Sequence, residues 1–285
     1  MEQLSNLTTE TRGEVEALLD ICNRHEALDI PIFLDFLVTD GDARTALLQR
    51  GDDGALIGFA AVPDDSAPEA CLMVHPDYRR RGFGRSLLTA MRAELQRRGL
   101  AECLLVTDAA SPSAHPFLGA LNIPYRFSEF RLQLDPAAID RSRPRHDALR
   151  LRPAAASDSE ALVTVLAGAF ADPDKEVRRG AVAAGLQERT RRFYLAELEG
   201  EPIGVLRAGE WGGNGDITAF GVLPAHQRRG YGRQILLDAV DLLLAEGWPQ
   251  IFIEVATDNP GALGLYESCG FRVTNEFGYY GVVVG

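Results

Sequence analysis

The chain has 285 residues, 46% hydrophobic and 25% charged, with a formal net charge of −12. That length accommodates two compact domains, and a negative balance with no compensating basic run argues against a nucleic-acid partner. No run approaches the roughly 18 apolar residues of a membrane span. The start, Met1-Glu2-Gln3, lacks signal-peptide character, and Cys22, Cys71, Cys103 and Cys269 are scattered without metal-ligand spacing. A cytoplasmic, metal-free protein with buried thiols is expected.

In chain order, a helix is expected over Thr11–Asn23, capped by Thr9 or Thr11, with Val15, Leu18, Leu19 and Cys22 on one face. A second helix is expected over Leu28–Val38. Strands follow at Thr45–Arg50 and Ala55–Val62, joined across the hairpin signal Gly51-Asp-Asp-Gly54, and then at Glu69–Val74. A glycine loop leads into a helix over Ser86–Arg98, a strand over Glu102–Thr107, a short helix over Ala114–Leu121 and a strand over Tyr125–Leu134. Asp135–Ala148 has Pro136, Pro144, mixed charge and no apolar period, so it reads as a linker between domains 1–134 and 149–285.

The second domain restarts with a strand at Leu149–Pro153 and a capping box, Ser157-Asp-Ser-Glu160, for a helix through Phe170. Helical character returns over Val177–Gln187. Arg192–Leu198 and Pro202–Ala208 form a hairpin across Glu199-Gly200, and Asp216–Leu223 is a buried strand ended by Pro224. Helix Gly232–Glu246, strand Gln250–Ala256, helix Pro260–Ser268 and strands Phe271–Asn275 and Tyr279–Val284 complete the chain. Both domains are expected to be α/β (α+β), each a mixed, mostly antiparallel sheet flanked by helices, with the first shorter at its end.

One stretch organises this order. Gln227-Arg228-Arg229-Gly230-Tyr231-Gly232 lies between a strand and a helix, and its glycines remove side chains that would keep a ligand off the backbone. The unpaired first-turn N–H groups sit at the positive end of the helix dipole, with Arg228, Arg229 and Arg233 adding charge, an arrangement suited to a pyrophosphate. The arrangement occurs earlier as Arg79-Arg80-Arg81-Gly82-Phe83-Gly84, so that Gly82 and Gly230 are 148 positions apart, about half the chain. A repeat at that period means two related domains rather than a solenoid.

The pattern Gln/Arg-x-x-Gly-x-Gly/Ala between strand and helix resembles the acetyl-CoA-binding motif of the GNAT superfamily of N-acetyltransferases. Asn259-Pro-Gly-Ala262-Leu-Gly-Leu265-Tyr266-Glu-Ser-Cys-Gly270-Phe271 resembles that superfamily's next motif. The resemblance covers nearly the whole chain as a tandem pair, in a layout similar to mycothiol synthase and related double-domain acetyltransferases. It implies acetyl-CoA as co-substrate, held by the loop together with Phe220, Gly221, Val222 and Asn259. It also implies a strand Phe220–Val222 splayed from the strand ending at Ala256, so that pantetheine pairs with free backbone and the Val222 amide faces the thioester carbonyl. Tyr266 becomes the general acid for the departing thiolate. Asp216, acting through water, becomes the candidate base, with Glu210 just before it.

In the first domain Phe117 or Ala120 falls opposite the tyrosine and Ala110 opposite the asparagine, so no proton donor stands there; Tyr125 and His115 are the nearby substitutes. With Met73, Val74 and the Arg79–Gly84 loop intact, that domain is expected to be non-catalytic yet able to hold CoA. Asp172, Asp174, Glu176, Glu210 and Trp211 suggest an acidic, partly aromatic pocket for a cationic amine. The resulting expectation is an N-acetyltransferase acting on a small-molecule or peptide amine. A non-enzymatic CoA-binding sensor and a mycothiol-type acetylation of an amino-sugar thiol conjugate stay open beside it, as does a homodimer.

Overall fold

The computed structural model describes residues 1–28, 30, 45–63, 68–142, 144–171 and 175–284. The expected helix over Leu28–Val38 therefore lies outside the described residues but for its first and third positions. The chain divides into two compact units, Met1–Ser128 with Glu276–Gly285, and Glu129–Asn275.

In unit 1, β1 (Glu2–Leu4) precedes α1 (Thr9–Glu26), which is followed by β2 (Thr45–Arg50), β3 (Leu56–Val62), β4 (Glu69–Val74), α2 (Phe83–Arg98), β5 (Glu102–Asp108) and α3 (Ala114–Ala120). The strand order is β1-β2-β3-β4-β5, and β12 (Phe271–Val283), the last strand of the chain, lies beside β5. Neighbours run antiparallel except β4 and β5, which are parallel. Leu87, Leu88, Met91 and Leu95, at helical spacing, pack α2 on one sheet face with Ala60, Val74 and Leu105. Val15 and Leu18 pack α1 on the other with Phe59 and Ala61. The α1 cap is Thr8, whose hydroxyl accepts from Thr11 N at 3.1 Å, rather than Thr9 or Thr11.

Unit 2 takes the end of β6 (Tyr125–Leu134), then β7 (Leu149–Pro153), α4 (Ser159–Ala169), α5 (Lys175–Gln187), β8 (Arg191–Leu198), β9 (Glu201–Trp211), β10 (Asn214–Val222), α6 (Tyr231–Glu246), β11 (Ile251–Ala256) and α7 (Pro260–Ser268). Its strand order is β6-β11-β10-β9-β8-β7, with β10 and β11 the parallel pair. Ile217, Ile253 and Val255 face α6 through Ile235, Leu236 and Leu243. Phe193, Leu195 and Val205 face α4 on the opposite side. Asp158, not Ser157, closes the start of α4: its carboxylate accepts from Ala155 N at 2.7 Å and pairs with Arg152.

The halves do not keep their own last strands. β6 follows α3 in sequence yet pairs with β11 from Phe252↔Gln133 to Ala256↔Glu129. β12 follows α7 and pairs with β5 from Phe277↔Asp108 to Val283↔Glu102. The expected pair Phe271–Asn275 and Tyr279–Val284 is one continuous strand.

Candidate active site

In unit 2 the sheet opens where the motif begins. β10 pairs with β11 only at Gly215, Asp216 and Ile217, leaving 218–222 without a β11 partner. The divergence has a local cause: β10 bulges against β9 between Thr218 and Gly221, with Ala219 at φ 48°. Gly221 is required here, because a Cβ would lie 2.7 Å from the Cβ of Ala169 on α4. The result is a slot edged on one side by Phe220, Gly221 and Val222.

At the slot's end Gln227 turns the chain, its Nε2 donating to Val222 O at 2.9 Å. Arg228 takes φ 59° and Gly230 φ 86°, and Gly230 is the N-cap of α6 with no side chain to satisfy the first turn. A Cβ on Gly232 would meet Leu265 at 3.3 Å, so this glycine brings α6 against α7. Arg228 and Arg229 are exposed and make no ion pair among the described residues. Tyr231 packs edge-on against His146 at 4.6 Å between ring centroids, and the His146 Nε2 lies 3.1 Å from where a Gly230 Cβ would stand. Nothing in the sequence marked His146, because it falls in the stretch read as linker.

Arg233 does not belong with the other two arginines. Its side chain, 8% exposed, donates to Ser268 O, Ser268 Oγ and Asp140 O, the last at 2.6 Å. It ties the first turn of α6 to the end of α7, so its guanidinium, expected at the cofactor, is committed within the protein.

Tyr266 is 5% exposed and stacks on Phe220 at 6.1 Å, which sets the phenol beside the free edge of β10. Burial, with Cys269 nearby, pushes its phenol above the ordinary value and keeps it protonated. Asn259 caps α7, its Oδ1 accepting from Ala262 N at 3.1 Å.

Asp216 sits at the closed end of the slot, on the face opposite α6 because Ile217 beside it faces that helix. Burial pushes its carboxyl up, opposed by Arg191, Arg131 and Arg207. Arg191 Nη1 lies 3.4 Å from its Oδ2. Each arginine lies over a ring: Arg191 over Trp211 at 3.8 Å, Arg131 over Phe252 at 4.1 Å and Arg207 over Phe193 at 5.0 Å. Glu188 joins Arg191 and Arg207. Of the five residues expected to line an acidic, partly aromatic pocket, three are described. Glu210 accepts from Gly213 N in the hairpin turn, Glu176 pairs with Arg179, Trp211 lies under Arg191, and Asp172 and Asp174 lie outside the described residues.

Unit 1 repeats this construction at the 148-residue spacing. Arg80 has φ 61° and Gly82 φ 92°, α2 has the length of α6, and β4 pairs with β5 only at Glu69 and Ala70. A Cβ on Gly84 would meet Phe117 as one on Gly232 would meet Leu265. That contact places Leu118, buried and apolar, opposite Tyr266, instead of Phe117 or Ala120. Ser111 Oγ accepts from Ala114 N at 3.2 Å as Asn259 accepts from Ala262, so the asparagine's counterpart is Ser111, not Ala110. His115 is held by Tyr280 and Ala109 O, and Tyr125 by Ser128. Arg79 donates to Val74 O and Ser113 and pairs with Glu26, so its guanidinium is committed within the protein. Arg81 lies over Tyr78, and Phe83 packs near the same ring.

Comparison with known proteins agrees with this geometry. The sequence model described as acetyltransferase (GNAT) family matches residues 160–271, and that of an acetyltransferase (GNAT) domain matches residues 44–118. The chain is 32% identical over 251 residues to a mycothiol acetyltransferase of Clavibacter michiganensis, covering 81% of this chain and 78% of that one. It is 32% identical over 245 residues to a mycothiol acetyltransferase of Streptomyces avermitilis, covering 80% and 76%. Its fold is shared with a GCN5-related N-acetyltransferase from Sphaerobacter thermophilus, with a TM-score of 0.79, 18% identity and coverage of 100% and 96%. A tandem GNAT protein from the clavulanic acid biosynthesis pathway gives a TM-score of 0.72 at 18% identity, covering 100% and 98%.

Proposed function

The chain belongs to the GNAT family of acetyltransferases, and from that premise we propose that unit 2 transfers the acetyl group of acetyl-CoA to a primary amine of a small molecule. The observation that carries this reading is the opening of β10 from β11 after Ile217, with the glycine loop at one end and Tyr266 beside it.

The residues present fit acetyl-CoA as co-substrate. The uncapped N–H groups of α6 and the exposed Arg228 and Arg229 suit its phosphates, and the unpaired β10 backbone suits an extended arm carrying amides. Acetyl-CoA supplies the thioester carbonyl. The amine nitrogen attacks that carbon, the C–N bond forms and the C–S bond breaks. The surplus amine proton passes through water to Asp216, and Tyr266 donates its proton to the departing sulfur. The amine must arrive neutral. Burial raises the Asp216 carboxyl, which makes it a better acceptor for the proton that an arriving ammonium must lose.

For the acceptor, the relatives' name points to a mycothiol-type small molecule, the amine of an amino-sugar thiol conjugate. The relatives' name is what favours this over a polyamine. CoA release measured across a panel of that conjugate, amino sugars, amino acids, N-terminal peptides, aminoglycosides and polyamines tests both parts. Turnover greatest with the conjugate is expected. Turnover with polyamines alone would overturn the acceptor class, and acetyl-CoA binding with no acetylated product from any amine would count against the reaction.

A further inference from the structure

Unit 1 has the parts of the slot, and one side chain lies across them. In unit 2 the two residues at the slot's mouth, Gln227 and Asn259, bond among the described residues to their own turns, at Val222 O and Ala262 N. Their counterparts in unit 1, Arg79 and Ser111, are joined by Glu26 from the last turn of α1. One Glu26 oxygen pairs with Arg79 Nη1, and the other accepts from Ser111 Oγ at 2.7 Å. One turn earlier, Cys22 Sγ donates to Val74 O at 3.6 Å, pinning the same helix end to the free stretch of β4.

The Glu26 side chain is 5% exposed. Burial pushes its carboxyl up, and Ser113, Ser111 and Arg79 outweigh this and hold it below the usual range. These three partners favour the charged form and hold it between Arg79 and Ser111. The slot edge is covered accordingly: Met73 and Val74 are 8% and 9% exposed, whereas their counterparts Gly221 and Val222 are partly open.

We propose that Glu26 latches the slot of unit 1 shut, so that the chain binds one acyl-CoA, in unit 2, and carries a latent second site that opens when the carboxylate is removed. The inference rests on reading loop and slot as an acyl-CoA site. An arm lying along Cys71–Val74 has to pass between Arg79 and Ser111, the gap that Glu26 spans. The ligand's phosphates meet a buried negative charge there, and Arg79 is already neutralised.

Isothermal titration of the full-length chain with CoA tests this by stoichiometry, using Glu26→Ala, Gly230→Leu and the double variant. Gly230→Leu places a branched side chain at φ 86° against His146 and removes the unit 2 site. Expected stoichiometries are one for wild type, none for Gly230→Leu, two for Glu26→Ala and one for the double variant. Binding retained by Gly230→Leu with Glu26 intact, or a single site in both wild type and Glu26→Ala, overturns the latch. If wild type binds no CoA, the unit 2 reading fails separately. A site then gained in Glu26→Ala supports the latch, and none overturns it. Should Glu26→Ala melt below the assay temperature, Glu26→Ser is read in its place with the same outcomes.

Discussion

Arg233 offers a sharp separation of structure from binding. It stands in the first turn after the glycine loop, where sequence alone assigns it to a phosphate, yet its guanidinium is spent on Ser268 O, Ser268 Oγ and Asp140 O. Arg233→Ala removes charge-assisted, partly buried hydrogen bonds to Ser268 O and Asp140 O, at about 1.5–3 kcal/mol for such a bond, so roughly 3 kcal/mol of stability is lost. For a unit of this size that is a fall in Tm of about 6–12 °C. Arg228→Ala or Arg229→Ala, at exposed positions with no described ion pair, should leave Tm within about 2 °C and weaken CoA binding roughly 5–10-fold, near 1 kcal/mol. Thermal melts paired with CoA titrations at a temperature where every variant is folded read both quantities. An Arg233→Ala protein that melts like wild type but loses tenfold or more in CoA affinity would refute this reasoning.

Other consequences are equally direct. Gly221→Val should lose about 1–3 kcal/mol by overpacking, since its Cβ would stand 2.7 Å from Ala169 and 3.1 Å from Phe170; calorimetry checks it. Burial alone would raise the Glu94 carboxyl, but Arg97, Thr45 and Arg98 hold it down at about 2 against an ordinary value of 4.5. Its contribution, about 3 kcal/mol, is therefore present above pH 4.5 and lost as pH falls toward 2, and Glu94→Gln should flatten that part of the acid-unfolding curve. Asp216 has the opposite sign. Its raised carboxyl favours the fold below its unfolded value of 3.8 and loses that contribution as pH rises through the folded value. Asp216→Asn should therefore raise Tm at pH 7 while lowering kcat/KM by on the order of 10²-fold.

Much of this architecture was legible because period and punctuation agree. Leu87, Leu88, Met91 and Leu95 announce a helix, and Pro76 and Pro224 end the strands before both loops. The sequence also carried both glycine loops and the short helix that holds Tyr266. Strand partners were not legible, since β6 and β12 have the same alternation whichever sheet they complete. The bulge at Ala219 was hidden because an alanine at positive φ leaves no mark in the sequence, and Gly221 at the far side of the bulge reads equally well as strand. Arg79 and Arg233 look like free cations in sequence, and only folding reveals Glu26 as the partner of one, and Ser268 and Asp140 O as those of the other.

The central claim is that acetyl transfer occurs in unit 2 with Tyr266 as the acid. Tyr266→Phe keeps the ring that packs on Phe220 and removes only the hydroxyl. Its kcat for amine-dependent CoA release, measured beside wild type together with acetyl-CoA affinity and Tm, is the most direct test. The account predicts a fall in kcat of about 10²–10⁴ with affinity and Tm unchanged. A kcat within about threefold of wild type would contradict it.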